Sequence, residues 1–201
     1  MIKKTKRVKI MKTIISILLI LSFNQIFSQT KDLYYSTDRK GIIFGLGCGA
    51  GSLSLSHDTE TGENSTAFSY SIPNIKVGYM INNRLALYAL LPGATYKFED
   101  KDRGYEGILV NMQYWLKSKW WISGGAGMTF DAAAFYTVDD PKNADFFVGF
   151  PAMSLSTGYE IWQKGKFALD IQYRAFYGSS NITSGTRQGL ANMIIFGLNW
   201  Y

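Results

Sequence analysis

Two runs of alternating apolar and polar residues flank a pair of asparagines, and this pattern limits what the chain can fold into. Between residues 74 and 91 an apolar side chain occupies every second position on both sides of Asn82-Asn83. Such alternation is typical of a β-strand with one apolar face, and asparagine tolerates the positive φ angles of a tight hairpin turn. The stretch is therefore predicted to form a β-hairpin with one apolar face and one face of small or polar side chains.

The same alternation recurs along the chain. The predicted strands cover residues 41–56, 67–81, 84–98, 105–116, 120–136, 145–162, 166–177 and about 190–200. They are joined alternately by turns of two or three residues and by longer polar loops at residues 57–66, 99–104, 137–144 and 178–186. An even number of strands joined in this way is typical of an up-and-down barrel with its short turns at one end. The predicted fold is therefore all-β, an eight-stranded antiparallel up-and-down transmembrane β-barrel over residues 41–201.

Pro73 and Pro92 interrupt the second and third predicted strands. Because proline cannot donate an N–H to a strand ladder, a bulge or kink is expected at each position. Beyond the prolines, the outward apolar set is predicted to change parity. It then consists of Phe68, Tyr70 and Ile72 in one strand and of Ala94, Tyr96 and Phe98 in the other.

Charged side chains fall on the strand face opposite the apolar one. The predicted interior set consists of Lys76, Lys97, Asp131, Glu160, Asp170 and Arg174. A soluble barrel with an apolar interior could not bury so many charges without extensive pairing, which favours lipid outside and a polar lumen inside. The mixed signs predict a paired structural network that fills a narrow lumen, whereas a selective pore more often carries a ring of one sign. Glycines in the first and fifth strands leave space and keep a narrow channel as an alternative.

Aromatic residues gather near both ends of the predicted strands. All five tryptophans lie within a few residues of a short turn or of the carboxyl end, and many Phe and Tyr residues lie near the longer loops. Two aromatic girdles around an apolar band match the two interfaces of a membrane. This signal supports the membrane interpretation independently of the strand pattern.

The amino terminus carries the basic surplus of the chain, because residues 1–28 hold six of its 21 Lys and Arg side chains and none of its 15 acids. A basic start, an apolar run over residues 14–21 and a small residue at Ser28 form the pattern of a secretory signal peptide. Residues 29–40 are expected to be a short periplasmic lead-in. The remaining chain has no net charge, so the basic pI gives no indication of nucleic-acid binding. A single cysteine, Cys48, excludes an internal disulfide.

Signatures of catalysis and metal binding are weak in this sequence. The only histidine, His57, follows Ser54 and Ser56, but no nucleophile elbow or oxyanion motif accompanies it, so it is interpreted as a solvated loop residue. Cys48 has outward parity and is interpreted as a small packing residue. Two acidic groups lack the spacing of a calcium loop, namely Asp58, Glu60 and Glu63, and Asp139, Asp140 and Asp145. No catalytic residue, metal or cofactor is predicted.

The motif Pro73-Asn74-Ile75-Lys76-Val77-Gly78-Tyr79, followed by Leu85-Ala86-Leu87, resembles the outer-membrane β-barrel domain family of small eight-stranded proteins from diderm bacteria, of the OmpX, OmpW and OmpA-barrel type. The closing Gly197-Leu198-Asn199-Trp200-Tyr201 also fits, although many members end in Phe. The resemblance covers about residues 40–201 and marks architecture. It implies an outer-membrane location and insertion by the barrel-assembly machinery, and it implies no specific substrate.

The expected function is that of an integral outer-membrane protein with a non-enzymatic structural or surface-interaction role. A narrow channel for small or apolar solutes is the first alternative, and a lipid hydrolase that uses His57 is a weaker one. The expected partners are outer-membrane lipids and lipopolysaccharide, and the assembly machinery during insertion. The protein is expected to be a monomer.

Overall fold

The computed structural model describes residues 39–57, 65–72, 74–98, 100–137, 145–183 and 185–201. The expected signal peptide, most of the expected lead-in and most of the predicted loops at residues 57–66 and 137–144 lie outside these ranges. So do Pro73 and five of the six acidic residues weighed as calcium ligands.

Ten β-segments make up the fold. They are β1 (Gly41–His57), β2 (Ser65–Ser71), β3 (Ile75–Asn82), β4 (Leu85–Leu91), β5 (Gly93–Phe98), β6 (Lys101–Trp115), β7 (Trp120–Ala133), β8 (Phe147–Lys164), β9 (Phe167–Ile182) and β10 (Gly185–Trp200). Segments β2 and β3 both pair with β1, and β4 and β5 both pair with β6. The ten segments therefore occupy eight strand positions, and every pairing is antiparallel.

The sheet closes on itself because β10 pairs with β1. This seam runs from the pair Phe44 and Trp200 to the pair His57 and Arg187. The predicted eight-stranded up-and-down barrel is therefore confirmed. We call the end where β1 begins and β10 ends the terminal end, and the other the distal end. The described part of the chain contains no helix long and apolar enough to cross a membrane.

Side chains alternate between the outer surface and the lumen as the sequence pattern predicts. The outer surface exposes large apolar side chains on every wall, among them Ile42, Val77, Val110, Leu155, Ile171 and Phe196. Cys48 is exposed on this surface, as its parity predicts. Polar and charged side chains are buried on the inner face together with small clusters of apolar ones. Compared with a soluble barrel, this molecule has the opposite polarity.

The wall formed by β2 and β3 contains the predicted irregularity. Gly49 pairs with Ser71, but Leu46 pairs with Ile75, so the register on β1 shifts by one residue between β2 and β3. A one-residue shift exchanges the two faces of a strand. Tyr70 and its neighbours of the same parity accordingly point outward, as predicted.

The predicted change of parity at Pro92 is wrong. Segments β4 and β5 keep one register on β6, with Leu90 opposite Leu109 and Gly93 opposite Glu106. The Gly107 N–H still donates to the Pro92 carbonyl at 3.1 Å. Pro92 removes one hydrogen-bond donor but does not introduce a bulge, so β5 keeps the same inward and outward positions as β4. Ala94 and Tyr96 are consequently buried in the lumen, and the side chain of Phe98 lies outside the described residues.

Two predicted loops at the distal end are shorter than expected, because their flanking strands extend further. Phe98 pairs with Lys101, and Ile182 pairs with Gly185, so two residues connect the strands in each hairpin. Their polar composition predicts longer loops. Strands that reach beyond an apolar band into water need no apolar face, and their residues then look like loop residues.

Two turns at the terminal end are displaced by one or two residues from their predicted places. Asn82 pairs with Leu85, so the first turn is Asn83-Arg84, after a bulge between Met80 and Asn82. The Asn82 side-chain oxygen accepts a hydrogen bond from the Arg84 N–H at 2.8 Å, which favours this placement. In the hairpin of β8 and β9, the turn has two residues and begins at Gly165, with φ 59°.

Candidate functional site

The lumen holds three groups of buried charged side chains, stacked along the barrel. The terminal cluster contains Arg39, Trp115, Glu160 and Tyr201. The middle cluster contains Lys76, Asp170 and Arg174 with their amide and hydroxyl partners. The distal cluster contains Tyr96, Arg103, Asp131 and Arg187. All five residues predicted for the lumen network, Lys76, Asp131, Glu160, Asp170 and Arg174, lie in the interior, but in three separate groups.

Glu160 is the centre of the terminal cluster. Its carboxylate receives hydrogen bonds from the Arg39 guanidinium at 2.5 Å, the Trp115 indole N–H at 2.9 Å and the Tyr201 hydroxyl at 2.7 Å. The Gln163 amide donates to the same carboxylate. None of the four side chains of the terminal cluster is more than 1 % exposed. A buried carboxylate needs this many donors to compensate for the water it has lost.

Arg39 spans the lumen at the terminal end. Besides its ion pair, it donates to the Ser118 carbonyl at 2.6 Å. Its guanidinium carbon lies 4.6 Å from the centre of the Trp115 ring and 5.6 Å from that of Tyr201. These contacts tie Arg39, two residues before β1, to the residue after β10 and to β6. They close the terminal end of the lumen with side chains.

The charges of the middle cluster are met mainly by neutral groups. Arg174 donates to Asn74 and Gln172 at 2.9 Å each and to Ser156 at 3.3 Å. The sequence pattern predicted pairing between opposite charges here. Uncharged amides and hydroxyls take that role instead, because they occupy the inward positions of the neighbouring strands.

Asp170 and Lys76 follow the same rule within the middle cluster. Asp170 accepts from the Asn199 amide at 2.9 Å, and the Lys76 ammonium donates to Gln113 at 3.4 Å. The ammonium also lies 5.5 Å from the centre of the Trp121 ring. The middle of the lumen is therefore occupied by interlocked side chains from several walls.

Asp131 is the centre of the distal cluster. Arg103 and Arg187 donate to its two carboxylate oxygens at 2.8 Å and 2.6 Å, and the Tyr96 hydroxyl donates at 2.7 Å. Arg187 also donates to the Tyr96 oxygen at 2.6 Å. These residues join β5, β6, β7 and β10 across the lumen, so the distal end is also crossed by ion pairs.

Sequence reasoning missed four of the residues that contact the central carboxylates. The predictions put Arg39 in the lead-in, Arg103 in a loop and Tyr96 on the outer face, and they leave Arg187 between the last predicted loop and the last predicted strand. Continuing the strand alternation outward would have found Arg103 and Arg187, since they share parity with the buried residues of β6 and β10. Lys97 was predicted inside, but its side chain is 78 % exposed and lies 3.6 Å from Asp102.

The hydrogen-bonded ladder of the barrel wall is interrupted in its distal half, between β2 and β5, and we call this interruption the wall opening. The ladder of β3 and β4 stops at Ile75 and Leu91, and no backbone ladder joins β2 to β5 in the described residues. Instead, the Thr95 hydroxyl accepts from the Tyr70 N–H at 3.3 Å and donates to the Tyr70 carbonyl at 3.4 Å. A cavity of about 440 Å³ lies here, lined by Ala67, Phe68, Tyr70, Thr95, Tyr96, Lys97, Asp102 and Tyr136.

His57 is the last residue of β1, and its side chain lies outside the described residues. The hydrolase hypothesis that involves it therefore stays a prediction. Within the described ranges, no group of three or more His, Cys, Asp or Glu side chains is placed to hold a metal ion.

Comparison with solved structures shows that this chain is similar to small outer-membrane proteins. Neisserial surface protein A is 22% identical, with 78% of this chain and 96% of that chain covered and a TM-score of 0.52. Ail, the attachment invasion locus protein of Yersinia pestis, is 15% identical over 80% of this chain and 99% of its own, with a TM-score of 0.46. OprG from Pseudomonas aeruginosa is 9% identical over 82% and 98%, with a TM-score of 0.42.

The likeness to neisserial surface protein A shows that the two chains share a fold. No protein-family model matches this sequence. No curated protein matches it either.

Proposed function

We propose that this chain is an integral outer-membrane β-barrel protein with a non-enzymatic structural or surface-interaction role. The observation that carries the proposal is the exposed apolar outer surface of a closed barrel, whose charges, among the described residues, are turned inward or lie toward its ends. Water would penalise such a surface by about 25 cal/mol for each Å² exposed, whereas lipid chains do not. A closed barrel also satisfies the backbone groups that lipid cannot.

A filled lumen supports a structural role over a channel. Ion pairs cross both ends, and the amide and hydroxyl partners of Arg174 cross the middle. An eight-stranded barrel is only wide enough for its own side chains. Ions would have to break several buried hydrogen bonds to pass, which argues against conduction.

Conductance is the test of the proposal. The full chain is expressed in a host with an outer membrane, extracted from that membrane and placed in a planar bilayer. We expect no discrete current steps, with folding verified by a heat-dependent shift in gel mobility. Reproducible steps from folded protein would overturn the filled-lumen argument, and absence of the chain from the outer-membrane fraction would overturn the location.

A second candidate function, passage of small or apolar solutes, is favoured by the wall opening between β2 and β5. A solute entering the cavity of about 440 Å³ would leave sideways toward lipid and would not need the full length of the lumen. The test is uptake of an apolar fluorophore into vesicles that contain the protein. Ala67→Trp, which fills the cavity, is expected to abolish any uptake, and Ala126→Trp on the outer face of β7 is the control. Equal uptake by both variants and by empty vesicles would reject this route.

The partners expected from the sequence remain part of the proposal. Outer-membrane lipids and lipopolysaccharide would surround the apolar band, and the barrel-assembly machinery would insert the chain. A monomer is supported by the seam of β1 and β10, which closes the barrel with strands of a single chain.

A further inference from the structure

Basic side chains surround the terminal end of the barrel. They are Lys40 before β1, Arg84 in the first turn, Lys117 and Lys119 in the second, and Lys164 and Lys166 at the third. Each turn at this end therefore carries at least one positive charge, and all six side chains are exposed or half-buried. We call this set the basic rim.

Acidic side chains do not balance the basic rim within the described residues. The two carboxylates in the terminal half, Glu160 and Asp170, are buried in the lumen. Exposed or half-buried carboxylates lie at the distal end instead, namely Asp100, Asp102, Glu106 and Asp145, where they accompany the accessible Lys97 and Lys101. Among the side chains that the structure describes, the accessible charged groups at the terminal end are basic, whereas those at the distal end are mostly acidic.

Tryptophans place the basic rim at a membrane interface. Trp120, Trp162 and Trp200 are exposed on the outer surface by 40%, 45% and 36%, all next to the terminal end. The Lys166 ammonium lies 5.2 Å from the centre of the Trp200 ring. Tryptophan prefers the level of the lipid headgroups, so the lysines beside it lie where phosphate groups are found.

We infer that the basic rim binds the phosphate groups of anionic phospholipids in the leaflet around the terminal end. The inference rests on the proposed membrane location. A lysine near an anionic headgroup strengthens association about fivefold. Because the rim has basic groups at every turn around the barrel, it fits a ring of surrounding lipids better than one compact ligand.

Intrinsic fluorescence offers a direct readout, since all five tryptophans lie at the terminal end. The full chain, purified from the outer membrane of an expression host, is placed in vesicles of phosphatidylcholine. A fraction of the lipid is replaced by phosphatidylcholine or phosphatidylglycerol brominated on the upper part of the acyl chain. Quenching by each brominated lipid gives its relative association with the protein.

The wild-type protein is expected to associate with phosphatidylglycerol about fivefold more strongly than with phosphatidylcholine. The double variant Lys164→Gln/Lys166→Gln, which removes two of the six rim charges, is expected to weaken this preference. The matched control is Lys97→Gln/Lys101→Gln at the distal end, which should keep it. About 0.5 M salt, with a Debye length of about 4 Å, should reduce the wild-type preference in the same way as the rim variant.

Equal association of wild-type protein with both lipids, or an unchanged preference in the rim variant, would overturn the inference. If the rim variant fails to insert, the salt dependence of the wild-type protein tests the inference instead. A preference for phosphatidylglycerol that is unchanged by salt would then contradict it. The proposed membrane location fails in a different way, because neither brominated lipid would then quench the tryptophans.

Discussion

Arg39 and Glu160 form a buried ion pair with 2.5 Å between guanidinium and carboxylate, although 121 positions separate them in the chain. Arg39 lies just before the first strand of the barrel and Glu160 lies in β8. Both side chains are fully buried. Removing one partner from such a pair leaves an uncompensated charge in a site without water, which is far more costly than losing an exposed pair.

Glu160→Gln is therefore expected to destabilise the protein by about 3 kcal/mol, because Arg39 remains buried without a counter-charge. The measurement is urea unfolding in detergent micelles, followed by gel mobility. The double variant Arg39→Gln/Glu160→Gln should be more stable than the single one, since it leaves no buried charge. A single variant within about 0.5 kcal/mol of wild type would contradict the importance of the pair.

Tyr201→Phe is expected to cost about 2 kcal/mol, since its hydroxyl donates to the charged Glu160 carboxylate at 2.7 Å. Urea unfolding of the purified variant measures the change. Tyr159→Phe, on the exposed outer face of the same strand as Glu160, is the control and should be near neutral. If both variants lose the same stability, the effect comes from general loss of a hydroxyl and the specific hydrogen bond is unimportant.

Asp131→Asn should destabilise the distal end by about 3 kcal/mol, because two guanidinium groups share its carboxylate. Removing one of them in the double variant Asp131→Asn/Arg187→Gln is expected to recover part of the loss. Proteolysis of the folded protein at the distal loops, compared with urea unfolding, separates local from global loosening. Additive effects of Asp131 and Arg187 substitutions would argue against their coupling.

Gly125 and Gly124 of β7 form a matched pair for testing the packing of the lumen. A Cβ on Gly125 would overlap the Asn111 side-chain oxygen and the Val110 carbonyl oxygen. A Cβ on Gly124 meets only the Ser154 carbonyl oxygen at 3.5 Å and a Leu155 methyl at 3.8 Å. We expect Gly125→Ala to cost about 1–3 kcal/mol and Gly124→Ala to be neutral or slightly stabilising, as measured by urea unfolding. The reverse order would show that the inner face of β7 has spare room.

Most of the fold follows from alternation of side chains, which is a local property and can be read from one sequence. The inward and outward faces of β1, β6, β8, β9 and β10 agree with prediction in their central parts. Alternation fails where a strand leaves the apolar band, because both faces are then polar. That is why the predicted strands stop short of Arg103 and Arg187, which both donate to the central carboxylate of the distal end.

Register and cross-lumen contacts could not be predicted in the same way. Whether a proline produces a β-bulge, with one extra residue on its strand, depends on the neighbouring strand. Pro92 produces none. Arg39 reaches Glu160 only because the closed ring brings β8 near the residues before β1. No sequence pattern indicates a contact between these two residues, which are 121 positions apart.

The position of Glu160 has a consequence for how the ring closes. Tyr201 follows β10, which β9 joins to β8, so its bond to the carboxylate depends on ladders within the last three strands. Arg39 precedes β1, so it reaches the same carboxylate only when β1 and β10 meet in the native register. Sliding β1 by one residue along β10 would move the start of β1 by about 3.3 Å and leave Glu160 buried without its counter-charge. The charge pair therefore favours the native register of the closing seam over its neighbours.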